Sequence, residues 1–285
     1  MTVKTKRMSI LLLILLFSFG STEGGCGTIK TTVRSHTAIL SDGTINIEYE
    51  IGNNGDDTAY RVTVTTFLAL DAQKSDDLGN NPPGGFIHYT CSLHPSSLKP
   101  GHYTLVARIS FDEQNGSTHK AYHFSSIPYR LEQVGKIQPA LSVGLTEPRF
   151  NLKSFWQPGS KCILSLKNNL ALPIRPVVAF YLPDGFTTKV PERSYPLAPG
   201  EKKEAAIPFE MDSSVRSTSP FYVVAWYEEN GIHFSQSITG KINFEERPVY
   251  FKRFLIFSAC VLISLAVFFF LCRQKTNRKR NERNL

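Results

Sequence analysis

Helical periodicity is missing from almost the whole chain. Before residue 254 no stretch repeats its apolar residues at the three- and four-residue spacing of an amphipathic helix. That excludes a helical bundle. Catalytic signatures are missing as well: no G-x-S-x-G, H-E-x-x-H or phosphate-loop run is present. Ser96-x-x-Lys99 and Ser117-x-x-Lys120 match the spacing of a penicillin-binding active site. That chemistry needs a helix to carry the Lys beside the Ser, and both copies fall in turns without companion motifs. No enzyme is expected. An excess of charge is also missing once the two ends are set aside. The formal +8 arises from three basic residues in the first twenty and eight from Lys252 onward, where Glu282 is the single acid. What lies between holds 21 basic against 23 acidic residues, net −2. Such a segment has no phosphate-binding footprint, which argues against nucleic acid as a partner.

Cysteine is sparse. Cys26, Cys91 and Cys162 precede the apolar run near the C-terminus, and Cys260 and Cys272 belong to it. Three thiols cannot all pair within one chain, so at least one stays free or pairs elsewhere. Cys26 with Cys91 is the preferred disulfide, since both fall in the first half. Cys162 alternates with Leu164 and Leu166, the pattern of a buried, inert thiol.

What is present starts with two apolar segments. Residues 254–272 run nineteen positions without a charge. At 1.5 Å per residue a helix of that length roughly matches the ~30 Å hydrocarbon thickness of a bilayer. Lys252 and Arg253 precede it; Arg273, Lys275, Arg278, Lys279 and Arg280 follow in the basic tail, residues 273–285. Basic flanks set orientation, so the tail is expected to be cytoplasmic and the preceding residues exported, a single-pass type I arrangement. Residues 1–20 read as a secretory signal peptide. Lys4, Lys6 and Arg7 form a basic start, an apolar run follows, and Ser18 and Gly20 supply the small residues of a cleavage site.

Between these segments the chain alternates with a period of two, as half-buried strands require. Ile45, Ile47, Tyr49 and Ile51 share one face against Asn46, Glu48 and Glu50. Strands are expected at 44–51, 60–70, 86–93, 102–111 and 120–129, then at 161–167, 174–182, 201–209, 221–227 and 232–244. Residues 71–85 read as a long loop, and Val134-Gly135-Lys136 as a linker. A shift of 115 positions lays Asn53-Asn54 on Asn168-Asn169 and Asn115-Gly116 on Asn230-Gly231. It also puts Ile109 and Phe111 on Val224 and Trp226 as matching core faces. The expectation is a tandem repeat: all-β, with two immunoglobulin-like antiparallel sandwiches at 26–133 and 137–245, then one transmembrane helix.

The run Asp42-Gly43-x-Ile45-x-Ile47-x-Tyr49-x-Ile51-x-Asn53-x-Gly55 resembles the second-strand signature of CARDB-type and related immunoglobulin-like repeats. So does Pro158-Gly159 leading into Cys162-x-Leu164-x-Leu166-x-Asn168. These repeats belong to bacterial and archaeal membrane-anchored surface proteins. The ectodomain of the translocon-associated protein beta subunit is similar in style. The resemblance covers the exported part and implies a sandwich fold with a role in adhesion, display or complex assembly. It carries over no catalytic or ligand residue.

Metal chemistry finds little support. His88, His94, His102, His119 and His123 crowd the first half, but His119 and His123 on one strand face stand ~13 Å apart. Asp71, Asp76, Asp77, Asn80 and Asn81 offer oxygens of the kind calcium takes, without the spacing of a calcium loop. No cofactor is expected. Recognition is the remaining use. Trp156 in Phe155-Trp156-Gln157-Pro158-Gly159, and the loop bearing Asp76, Asp77, Asn80 and Asn81, are the candidate contacts. A protein partner at the exported face is expected. The alternative is a carbohydrate-recognition or accessory module of a cell-envelope enzyme system, with glycan held on Trp156. Asn115-Gly116-Ser117 is in addition a glycosylation sequon at a hairpin tip.

Overall fold

The computed structural model describes residues 27–68, 72–95, 98–131, 139–151, 159–212, 218–245, 254 and 256–267. The signal segment, the linker at 134–136, Trp156, the basic flanks and the tail therefore lie outside the described residues. Among the described residues the chain forms sixteen strands, numbered β1 to β16 in order. In β2 (Ile45–Asn53) Ile45, Ile47, Tyr49 and Ile51 are all buried, and in β10 (Gly159–Asn168) Cys162, Leu164 and Leu166 are buried in the same way. Alternation thus marks the core-facing strands of both halves.

Two separate cores result, one built from Ile45 to Tyr129 and one from Leu141 to Ile242. In the first sandwich one sheet orders β1 (Thr31–Ile39), β2 and β5 (Phe86–Leu93). Its facing sheet runs β4 (Ala72–Asp77), β3 (Tyr60–Leu68), β6 (Gly101–Asp112), β7 (Thr118–Tyr129). The second sandwich repeats the plan. One sheet orders β8 (Leu141–Thr146), β10, β14 (Lys202–Met211) and β12 (Phe186–Thr188). The other runs β13 (Glu192–Ser194), β11 (Val177–Tyr181), β15 (Ser219–Glu229), β16 (Ile232–Glu245), with β9 (Arg149–Asn151) added in parallel to β16. The tandem repeat read from the sequence holds at the level of strand pairing.

Two expectations need correction. The loop at 71–85 contains β4, a strand paired along β3 from Leu68↔Ala72 to Thr63↔Asp77. Its polar sequence, Ala-Gln-Lys-Ser-Asp-Asp, suits an edge strand, where alternation is weak and charge discourages further pairing. The polar edge strands β1 and β13 lack a clear alternation for the same reason. Second, Val224 and Trp226 do not match the core face of Ile109 and Phe111. In β15 the buried core residues are Phe221, Val223, Ala225 and Tyr227. The repeat slips by one residue there, and one residue reverses a strand's faces. No helix among the described residues is long and apolar enough to cross a membrane, and residues 268–272 of the expected span lie outside the described residues. Residues 256–267 do form a helix, and Ile256, Phe257, Leu262 and Ile263 are each more than 60 % exposed.

The two sandwiches join through one strand pair. Among the described residues β3 pairs with β6 as far as Leu68↔Leu105, which leaves the edge at residues 101–104. The start of β16 takes that edge in parallel, His233 opposite Gly101. The His233 amide donates to the Pro100 carbonyl at 2.9 Å, and the Thr104 amide to Ser235 Oγ at 3.1 Å. A Cβ on residue 101 would stand 2.0 Å from the His233 carbonyl oxygen, so only glycine allows this approach. The Asn230-Gly231 turn that presents β16 has φ of 49° and 77°, the two positive angles of a two-residue type I′ hairpin.

Candidate functional site

The sequence of β15, Ser-Pro-Phe-Tyr-Val-Val-Ala-Trp-Tyr-Glu-Glu, is apolar on both faces, which a strand open to water on one side would not need. The inner face fills the second core. The outer face is set by register: Tyr222, Val224 and Trp226 stand opposite Tyr181, Ala179 and Val177 on β11, and Glu192 on β13 stands opposite Ala179. On the other side Trp226 pairs with Ser235 and Glu228 with His233. The first sandwich offers a matching outer face, with Gln73, Phe67, Val106 and Phe124 in one row across β4, β3, β6 and β7.

These outer faces meet. Phe124 stacks on Tyr222 with centroids 4.3 Å apart, while Tyr122 and Phe124 each meet the Tyr181 ring edge-on at 5.5 Å. A polar clamp closes the same contact. Asp184, in the Pro183-Asp184-Gly185 turn, accepts the Lys120 amide at 2.8 Å and lies 3.2 Å from His119 Nδ1. Where the faces diverge they leave a cleft of about 300 Å³. Phe67, Gln73, Thr104 and Val106 form one wall, and Tyr181, Glu192, Val224 and Trp226 the other. Tyr103, His233 and Ser235 line it at the β6–β16 junction.

Electrostatics in the cleft are simple. His233 is 5 % exposed and lies flat on Tyr103 at 4.0 Å. Burial lowers its pKa from 6.5 to about 4, so the imidazole is neutral at physiological pH; Glu228 opposes the shift and Lys99 adds to it. Lys99 and Glu228 are themselves an ion pair between the two sandwiches. Tyr181 is pushed up to about 12 by burial and then by the Glu192 carboxylate, so its phenol keeps its proton. The Ser235 hydroxyl donates to Thr104 Oγ1 at 2.6 Å while accepting the Thr104 amide, so these hydroxyls are committed to each other. Glu192 is exposed and is the one formally charged side chain in the lining.

The residues singled out from sequence lie elsewhere and do not converge. Asp76 accepts the Tyr89 hydroxyl and has Lys74 at 3.6 Å. Asp77 accepts the Gly79 amide, Asn80 accepts the Arg61 amide, and Asn81 is buried with its side-chain amide on the Ile51 carbonyl. Asp76 thus ties β4 to β5, Asn81 ties its segment to β2, and Asp77 and Asn80 hold the turn after β4. Among the described residues no group of three His, Cys, Asp or Glu side chains is placed to hold a metal ion. Trp156 and Cys26 lie outside the described residues. Cys91 is a fully buried free thiol whose pKa burial raises, and Cys162 is likewise buried, its thiol pushed up to about 12. The Cys26–Cys91 pairing expected from sequence therefore falls partly outside the described residues. Glu192, Tyr181, Phe67, Gln73 and His233 were not marked by sequence; the two-faced apolarity of β15 was the available signal.

No protein-family model matches this chain, and no curated protein matches it. Among solved structures 132 chains match. Red sea bream transglutaminase is 12 % identical over 81 % of this chain and 33 % of its own, with a TM-score of 0.25. E. coli alpha-2-macroglobulin, in its native conformation, is 8 % identical over 75 % of this chain and 17 % of its own, with a TM-score of 0.29. The chain thus spans a third or less of the length of these two structures.

Proposed function

We propose that this is a single-pass type I membrane protein whose two immunoglobulin-like sandwiches are exported and act by non-enzymatic interaction. They hold a protein partner at the exported face, as an adhesion module, a surface scaffold or a subunit of a membrane complex. The observation that carries the reading is the helix at 256–267, where Phe257, Leu262, Ile263, Leu265 and Val267 are all exposed. A helix that is apolar around its circumference and buries none of it in protein is suited to lipid. The sequence continues the apolar run to residue 272, flanks it with Lys252, Arg253 and Arg273, and places a signal-like segment at 1–20. The rigid joint between the sandwiches supports a recognition role, because it fixes two modules in one orientation toward a partner. In sealed vesicles with the exported face inward, added protease is expected to remove only residues 273–285 and to spare 26–245 until detergent is added. Digestion of the sandwiches with protection of the basic tail would overturn the topology.

A further inference from the structure

We propose that the cleft between the sandwiches captures a cationic side chain, Arg or Lys, presented by a partner polypeptide. The inference rests on the interaction role above and names the chemistry of its contact. Size comes first. At about 300 Å³ the cleft stands at the lower end of ligand pockets, room for one long side chain rather than an oligosaccharide. Charge comes second. Glu192 is exposed, forms no side-chain hydrogen bond or ion pair among the described residues, and faces a lining with no cation. His233 is neutral, and Lys99 beside it is taken up by Glu228.

The walls are the third element. Register places Glu192 opposite Ala179, between Tyr181 and the Val177–Trp226 row, so its carboxylate and two aromatic side chains share one sheet face. A carboxylate beside aromatic rings holds a guanidinium or ammonium by Coulomb attraction and by the rings' quadrupole together. Arg108, outside the cleft lining, already lies over the Phe67 ring at 5.4 Å, so that ring is taken. An incoming cation is therefore directed to the Tyr181, Glu192 and Trp226 side. A sugar would want several free hydroxyl or amide partners, and the Thr104 and Ser235 hydroxyls are spent on each other. The cation is the better match.

The test uses the full chain in detergent micelles, with N-acetyl-arginine amide and N-acetyl-lysine amide as cationic probes and N-acetyl-citrulline amide as their neutral counterpart. Calorimetry and quenching of the indole fluorescence are the readouts. A cationic probe is expected to bind saturably and to weaken with added salt, whereas citrulline does not bind. Glu192→Gln, at an exposed position that does not threaten folding, is expected to weaken binding by about three- to tenfold. Trp226→Leu should also weaken it, with unfolding followed in parallel. Equal binding of citrulline, no saturation at millimolar probe, or unchanged affinity in Glu192→Gln would overturn the proposal. Cross-linking in intact membranes separates the two readings. Partner adducts undiminished in Glu192→Gln would sink the cleft and leave the interaction role standing. A probe bound as expected with no adducts anywhere would sink the role and leave the cation site.

Discussion

Asn53 and Asn168 hold equivalent corners of the two sandwiches, 115 positions apart, and both are almost wholly buried. Asn53 donates to the carbonyls of Asp57 and Asn81, at 2.7 and 3.0 Å, and accepts the Gly55 amide. Asn168 donates to Leu172 and Ala198, at 2.8 and 3.0 Å, and accepts the Leu170 amide. Each side chain therefore closes its own turn and ties it to a segment about thirty residues away. Replacing either by Ala leaves several part-buried backbone groups without their partner, so Asn168→Ala is expected to cost about 1–3 kcal/mol. Asn169→Ala, at the exposed neighbour, should cost about 0.5 kcal/mol or less. Urea midpoints at unchanged slope would measure both; equal effects would refute the assignment. The sequence shows the turn, because Asn, Gly and Asp carry turn chemistry locally. It does not show the long reach of the side chain, because the acceptors are backbone atoms that any residue supplies.

At the scale of elements, the junction of β6 and β16 carries a pH dependence. His233 is held neutral in the folded chain, with a pKa of about 4 against 6.5 when exposed. A depressed folded pKa means that the unfolded chain binds the proton first as pH falls. The contribution to stability is therefore complete above pH 6.5, declines from there, and is exhausted near pH 4. It amounts to about 3 kcal/mol at the limit. His233→Phe preserves a flat ring on Tyr103 and removes the titration, so its unfolding free energy should be flatter between pH 4 and 6.5 than that of the wild type. A parallel pH profile in the variant would show that other groups, such as the Lys99–Glu228 pair, dominate. Legibility divides along the same elements. The central strand β2 declares itself by alternation, and the edge strand β5 is bounded to the residue by its aromatic and apolar content. Edge strands such as β4 were hidden by their polarity. Strand β15 was read as a strand with its faces reversed, because Tyr222, Val224 and Trp226 are as apolar as the core side.

That reversal decides how the whole molecule behaves. An outer face bearing Tyr222, Val224 and Trp226 would be costly in water, and packing on the first sandwich removes that cost. Phe124 is the central ring, stacked on Tyr222 and edge-on to Tyr181. Its partners across the contact come from β11 and β15, which belong to the other core, so folding of one sandwich supports the other. The two sandwiches of the wild-type chain should therefore unfold in one cooperative step despite their two cores. Phe124→Ala opens the aromatic contact without touching either core, and about 2–3 kcal/mol of coupling should be lost. Its thermal unfolding is expected to separate into two transitions, and small-angle scattering should show a larger radius of gyration as the cleft widens. Phe209→Ala, inside the second core, would instead lower stability strongly while leaving the scattering profile of the folded protein unchanged. If Phe124→Ala left a single transition and an unchanged radius, the sandwiches would be joined by the β6–β16 edge alone. The aromatic face would then be left without a structural task.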